Sequence, residues 1–267
     1  MASIAIVGGG RMGEALLAGL LASGRAQPAD IAVAEPSPTR RDEIAERYGI
    51  RCAERGADVA GDTEVVVLAV KPRIVEAVAR EIGPALSAGT IVVSIAAGVS
   101  TAAIEAVLPD TAHVVRVMPN TPAMVGAGMS VVSGGSRAPD ADVERVRALL
   151  EAVGEAVVIP ESQQDAATAV SGSGPAYVAV FVEALARAGV SQGMPYETAL
   201  KLATQTTAGT AALLAETGRH PEELADAVAS PGGTTAAALE ALEDRRFRAA
   251  VAAAVAAATE RSKGLGG

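Results

Sequence analysis

The short apolar run Ile4-Ala5-Ile6-Val7 is followed at once by Gly8-Gly9-Gly10-Arg11-Met12-Gly13, and Glu14-Ala15-Leu16-Leu17 then takes up helical spacing. A G-x-G-x-x-G pattern between a strand and a helix leaves few folds open. Gly8 suits a tight turn, Gly10 lets a pyrophosphate approach the backbone, and Gly13 permits close packing of helix on strand. The helix start adds free amides and the positive end of a dipole. The pattern predicts a dinucleotide cradle. On these residues alone, a bare structural turn is the alternative.

Beyond residue 30 the chain repeats the same grammar. Short β-branched runs recur at Ile31 to Val33, Val65 to Val70, Ile91 to Ile95, Val114 to Val117, Val131 to Val132 and Val157 to Ile159. Stretches of helical spacing separate the earlier runs, as at Gly13 to Ser23, Thr39 to Tyr48 and Arg73 to Ile82. Strand and helix in alternation predict parallel βαβ units and a doubly wound sheet. Pro160 closes the last run, and from Ser162 onward no strand pattern appears. There Ala, Leu, Glu and Gln at helical spacing are punctuated by Pro175, Pro195, Pro221 and Pro231. The expected architecture is therefore α/β: an N-terminal Rossmann-type dinucleotide-binding domain over 1–160, then an all-α C-terminal domain over 161–267. Ala-rich helices pack closely, within one bundle or between two copies of a chain.

Charge and composition narrow the partners. The chain has 22 Lys and Arg against 31 Asp and Glu, a net charge of -9, and only 2% aromatic residues. It offers neither a basic footprint for a phosphate backbone nor stacking platforms, so no nucleic-acid partner is expected. Cys52 is the single cysteine, and His113 and His220 are far apart in sequence, so neither a disulfide nor a metal site is expected. The apolar run Val251 to Ala258 is too short to span a bilayer, and the N-terminus lacks a signal-peptide pattern. The expectation is a soluble, cytoplasmic protein with no membrane partner.

In an open parallel sheet, ligands sit at the carboxyl ends of the strands. Glu35, 22 residues past Gly13, stands where an acidic group can accept from the adenosine ribose 2'-hydroxyl, which favours NAD. Ser37 then reads as an N-cap with Pro38 at the first helical position, putting Arg40 and Arg41 within reach of a 2'-phosphate. The alternative is a solvated face pairing Arg40 and Arg41 with Asp42 and Glu43. Three further loops qualify: Val70-Lys71-Pro72, Ala96-Ala97-Gly98-Val99 and Met118-Pro119-Asn120-Thr121-Pro122. Lys71 suits a ribose or carbonyl, or is merely exposed. Asn120 faces the cofactor or makes an Asx-turn.

The helical half contains two glycine-rich segments, Ser171 to Tyr177 and Ser230-Pro231-Gly232-Gly233-Thr234-Thr235, each read as an amide-rich helix start. Such a start, with hydroxyls from Ser230, Thr234 and Thr235, can bind a carboxylate without arginine; ordinary capping is the alternative.

Taken in order, GGGRMG, AVKP, SIAAGV, VRVMPNTPA, AVSGSGPAYV and SPGGTT followed by LE and FR closely resemble pyrroline-5-carboxylate reductase over nearly the whole chain. The resemblance implies reduction of the cyclic imine (S)-1-pyrroline-5-carboxylate to L-proline, the last step of proline biosynthesis, usually with NADPH. It implies pyrophosphate on Gly8 to Met12, with ribose and nicotinamide near Ala69, Lys71, Pro72, Ala97 and Asn120. Substrate falls to the SPGGTT loop, the carboxylate held by donors around Ser230, Gly232 and Gly233 and the ring nitrogen by the Thr235 hydroxyl. Glu183 and Glu216 are weaker candidates. Homodimers through the helical domain, often assembled further, are implied too.

The residues agree with imine chemistry. Only Lys71, Lys201, Lys263 and two histidines are present, none in an obvious proton-donor motif. An imine can enter already protonated, so that positioning and a hydroxyl suffice. One departure is Glu35-Pro36-Ser37, where NADPH-preferring members often carry Asn-Arg or Ser and Thr; the reading is NADP, NADPH preferred, with NAD also usable. Three rivals remain. A β-hydroxyacid dehydrogenase would have to rely on Lys201, and a non-catalytic nucleotide-binding protein would bind cofactor without turnover. A reductase of the six-membered imine would differ by one methylene, worth about 1 to 3 kcal/mol of discrimination.

Overall fold

In a computed structural model of the chain, residues 3–264 are described; the outermost residues of the two expected domains, 1–2 and 265–267, lie outside the described residues. The described residues form one eight-stranded sheet. Its strands are β1 Ile4–Val7, β2 Ile31–Ala34, β3 Arg51–Ala53, β4 Val65–Leu68, β5 Ile91–Ser94, β6 His113–Met118, β7 Gly128–Gly134 and β8 Gly154–Val158. They lie in the order β3-β2-β1-β4-β5-β6-β7-β8. The first six are parallel, in the order of a dinucleotide-binding sheet. Between the strands run α1 Arg11–Ala22, α2 Pro38–Tyr48, α3 Ala57–Ala60, α4 Val75–Ile82, α5 Thr101–Glu105 and α6 Asp140–Leu150.

The inner strands read as unbroken apolar runs because both faces of the sheet are covered. Ile4 and Ile6 of β1 join one buried cluster with Leu16, Leu17 and Leu20 of α1, while Ala5 and Val7 join another with Val75, Ala79 and Ile82 of α4. Each large side chain so buried contributes about 1.5 to 3 kcal/mol. Between β6 and β7 only nine residues intervene, holding the 3-10 turn Thr121–Val125. That link is too short for a crossover, so β7 runs antiparallel to β6.

Packing does not divide the chain where composition does. One compact unit runs through Ser173 and takes in the chain from Ala257 onward; the other is Gly174–Ala256. The segment after Pro160 stays with the sheet because its polar side chains are anchored there. Glu161 accepts from the amide and hydroxyl of Thr101 (2.8 and 2.6 Å) and from the buried Arg116 (3.1 Å). Gln164, the first residue of α7 (Gln164–Ala167), is fully buried and donates to Val131 O and Ser133 Oγ. Asp165 accepts from Ser262 Oγ at 2.7 Å.

The second unit contains α8 Gly174–Ser191, α9 Tyr196–Thr217, α10 Pro221–Val228, α11 Thr234–Asp244 and the first part of α12 Phe247–Lys263. α8 and α9 close on the small side chains of Ala186, Ala199 and Ala203. Larger ones stay outside: Val180 is 70% exposed, Leu202 52% and Phe181 42%. A folded monomer seldom leaves so much apolar surface in water, so this unit has a face that needs covering. The helical stretch Glu161–Ser191 is the one segment among the described residues with the length and hydropathy to cross a membrane. The sequence hides it because Ser, Gly and Glu interrupt every apolar run there.

Candidate active site

β1 is followed by Gly8 at φ +113, a conformation that glycine adopts at little cost. A Cβ there would lie 2.6 Å from the Ala69 carbonyl oxygen, so the loop leaves β1 pressed against the end of β4. Gly10 caps α1 with extended backbone, and a Cβ built on it meets nothing within 4 Å. This is the space a pyrophosphate needs. Gly13 does the opposite: its Cβ would lie 2.2 Å from Gly8 O, so α1 can begin this close to the loop only with glycine there. With no side chain capping α1, the amides of its first turn are open to an anion.

These elements border a cleft of about 570 Å³, within the range of small-molecule sites. Gly8, Gly10, Arg11, Met12, Glu35, Ala69, Lys71, Pro72 and Ala97 line it together. Sequence reasoning missed Pro36, Ile74, Ile95 and Met124, which also line it. Met124 reaches the cleft because the Thr121–Val125 turn folds it back, and its Sδ accepts from Arg11 Nη2 at 3.7 Å. Only tertiary structure carries that signal.

The remaining expected cofactor residues lie around this cleft rather than along it. Ser37 stands at the N-cap of α2 with Pro38 behind it, but its side chain caps nothing; its amide donates to Glu35 Oε1 at 3.0 Å. Glu35 Oε2 accepts from Gly9 N at 2.9 Å. Arg41 Nη1 donates to the Glu35 carbonyl at 2.9 Å. The Arg40 guanidinium is committed elsewhere, with Nε on Gly9 O at 2.9 Å, Nη1 on Glu43 at 3.1 Å and Nη2 on Glu14. Glu14 also accepts from Arg47 and Tyr48 at 3.0 and 2.9 Å. Burial pushes the Glu14 carboxyl up, but the hydrogen bonds from Arg40, Tyr48 and Arg47 outweigh it and hold the group below its ordinary value.

Asn120 is buried, and both ends of its amide are engaged. Oδ1 accepts from Met129 N at 2.9 Å, and Nδ2 donates to the Ser171 carbonyl at 3.0 Å. The segment Ser171 to Tyr177 is not the amide-rich helix start that the sequence suggests, because helix runs into it without a break. Thr168–Gly172 is a π-helical turn leading into α8, with Ser173 N bonded to Thr168 O at 2.8 Å. Pro175 has no N–H for the carbonyl four residues back, which is that of Ser171, and Asn120 supplies the missing donor.

In the second unit, Ser230 to Gly233 forms a turn with Gly233 N on Ser230 O at 2.9 Å and Gly232 at φ +71. Gly233 is the N-cap of α11 and no side chain caps it, leaving first-turn amides as donors beside the Thr234 and Thr235 hydroxyls. Ser230, Gly232 and Thr234 are exposed, and Gly233 and Thr235 half-buried. Glu183 is tied to Arg187 and Tyr196 at 2.6 and 2.7 Å, and the Tyr196 hydroxyl holds its carboxyl below the ordinary range. Glu216 and Lys201 are exposed on α9.

A family model described as pyrroline-5-carboxylate reductase dimerisation matches residues 161–265, and one described as coenzyme F420-dependent NADP oxidoreductase matches 3–98. The chain is 44% identical to the pyrroline-5-carboxylate reductase of Synechocystis over 98% of both chains. To that of Escherichia coli it is 42% identical, over 98% of this chain and 97% of the other. Among solved structures, a Coxiella burnetii pyrroline-5-carboxylate reductase superposes with TM-score 0.95 at 35% identity, covering 100% of this chain and 99% of that one. A Plasmodium falciparum pyrroline carboxylate reductase with NADP bound gives 0.86 at 32%, covering 100% and 98%.

Proposed function

The chain belongs to the pyrroline-5-carboxylate reductase family, and from that premise we propose how its residues share one reaction, the reduction of (S)-1-pyrroline-5-carboxylate to L-proline. This is NAD(P)H-dependent reduction of a C=N bond, the last step of proline biosynthesis. The nicotinamide cofactor supplies, when bound, the hydride that the imine carbon accepts. The glycine loop and the start of α1 hold its pyrophosphate, while Ala69, Lys71, Pro72 and Ala97 border the ribose and nicotinamide.

The observation that carries the substrate assignment is the uncapped start of α11. Its amides, with Ser230, Gly232, Gly233 and Thr234, bind the substrate carboxylate by charge-assisted hydrogen bonds. The protonated ring nitrogen donates to the Thr235 hydroxyl oxygen. As the adjacent carbon takes hydride, the C=N π electrons become the nitrogen lone pair and the nitrogen keeps its proton. Thr235 therefore orients the ring and need not surrender a proton. The exposed apolar side chains of the helical unit meet those of a second copy, giving a homodimer or a larger assembly, and the enzyme works in the cytoplasm.

NADPH is the preferred cofactor, with NADH also used. Supporting this are the NADP oxidoreductase model over 3–98 and Arg41 near the start of α2, whose guanidinium sits on the Glu35 carbonyl just past β2, where a 2'-phosphate would come. Arg41→Ala should raise the KM for NADPH about tenfold, the loss of one charge-assisted contact, and leave that for NADH within about twofold. Steady-state oxidation of both cofactors with pyrroline-5-carboxylate, the six-membered imine and a 2-keto acid tests the whole assignment. Rapid turnover of the five-membered imine is expected; NADPH binding without turnover of any imine would overturn it.

A further inference from the structure

Arg40 invites assignment to a 2'-phosphate, yet its contacts face another way. Gly9 is buried between β1 and α1, so its N–H and C=O both need partners inside the protein. Two charged side chains provide them, Glu35 Oε2 from the β2–α2 connection on the N–H and Arg40 Nε from the first turn of α2 on the carbonyl, each at 2.9 Å. Since a trans peptide is planar, pinning the Gly9 carbonyl also fixes the opposite direction of the Gly10 N–H, the first amide of the cradle. Arg40 is itself held by Glu14 and Glu43, and Glu14 by Arg47 and Tyr48. A chain of hydrogen bonds thus runs from α2 through the first turn of α1 to the glycine loop.

We propose that Arg40 is a positioning residue for the dinucleotide loop, orienting the Gly9–Gly10 peptide for the pyrophosphate that NADPH and NADH share, and is not a ligand of the 2'-phosphate that distinguishes them. The inference rests on the reductase reading only in taking the glycine loop as the cofactor site. Lysine cannot replace Arg40, because one ammonium cannot span the Gly9 carbonyl and both carboxylates in a fixed fork.

Titration of the full-length protein with NADPH and with NADH, followed by nicotinamide fluorescence, tests this without turnover. Arg40→Met should raise both dissociation constants by the same factor, roughly tenfold, as expected for a lost hydrogen bond to a charged group. Arg40→Lys should recover little of it. Glu14→Gln is the sharper variant, and it serves if Arg40→Met does not fold. On this proposal, freeing Arg40 from Glu14 loosens the loop, and both constants rise together. Were Arg40 a 2'-phosphate ligand, its release would tighten NADPH alone. Selective loss of NADPH in Arg40→Met, selective gain in Glu14→Gln, or a lowered Tm with both constants unmoved would each overturn the proposal. Wild-type protein that binds both cofactors but turns over no imine would defeat the reductase reading instead and leave this comparison intact.

Discussion

Gly13→Ala will cost the protein its cofactor. A Cβ at residue 13 lies 2.2 Å from Gly8 O and 3.2 Å from the Ala69 side chain. The nearer atom is backbone at the end of a buried strand, so it cannot swing aside as a flexible side chain would. α1 has to withdraw from β1, carrying the amides of its first turn with it. Displacement of site geometry by about 1 Å can cost on the order of a hundredfold, and a rise of that size is expected in KM for NADPH and NADH alike. Overpacking should also cost about 1 to 3 kcal/mol of stability. Gly10→Ala separates the two effects. Its φ of -70 suits any residue and its Cβ meets nothing, so it should bind cofactor poorly while unfolding at or above the wild-type temperature. Cofactor titration beside thermal unfolding checks both variants. An unchanged KM in Gly13→Ala would mean that the helix start does not hold the pyrophosphate.

Thr235→Val should lower kcat by roughly tenfold to a hundredfold, the worth of a lost hydrogen bond to the charged ring nitrogen that orients it for hydride. Valine keeps the branched shape and removes only the hydroxyl. Since Gly233 caps α11 without a side chain, the helix start should survive the change. Cofactor dissociation constants and subunit association should be unmoved, and Thr235→Ser should restore most of the rate. If Thr235→Val retains kcat within about twofold, the ring nitrogen is oriented by some other group.

Much of this was legible before any fold was in hand, for a physical reason: the signals that worked are local. β1, its glycine turn and α1 occupy consecutive residues, and strands buried on both faces announce themselves as apolar runs. β3 escaped notice because Arg51-Cys52-Ala53 is three residues at the sheet edge, none fully buried, paired only with β2. Residues 161–173 pack with the sheet because Glu161, Gln164 and Asp165 are polar residues whose partners lie in other parts of the chain. The same holds at the site. Arg40 sits 31 residues from Gly9 and 26 from Glu14, and no spacing rule could link them. Ser171-Gly172-Ser173-Gly174-Pro175 looked like an interruption because its composition is that of a loop. It is helical, with its Ser171 carbonyl answered by a donor 51 residues away.

That donor ties two equilibria together. One amide group serves the loop after β6, the start of β7 and the carbonyl that Pro175 leaves unanswered. Any ligand that steadies the loop steadies the π-helical turn by the same free energy, and any strain on the turn weakens the ligand in return, because thermodynamic linkage is reciprocal. A cofactor seated against that loop would therefore draw on Asn120 through this linkage, without having to touch it.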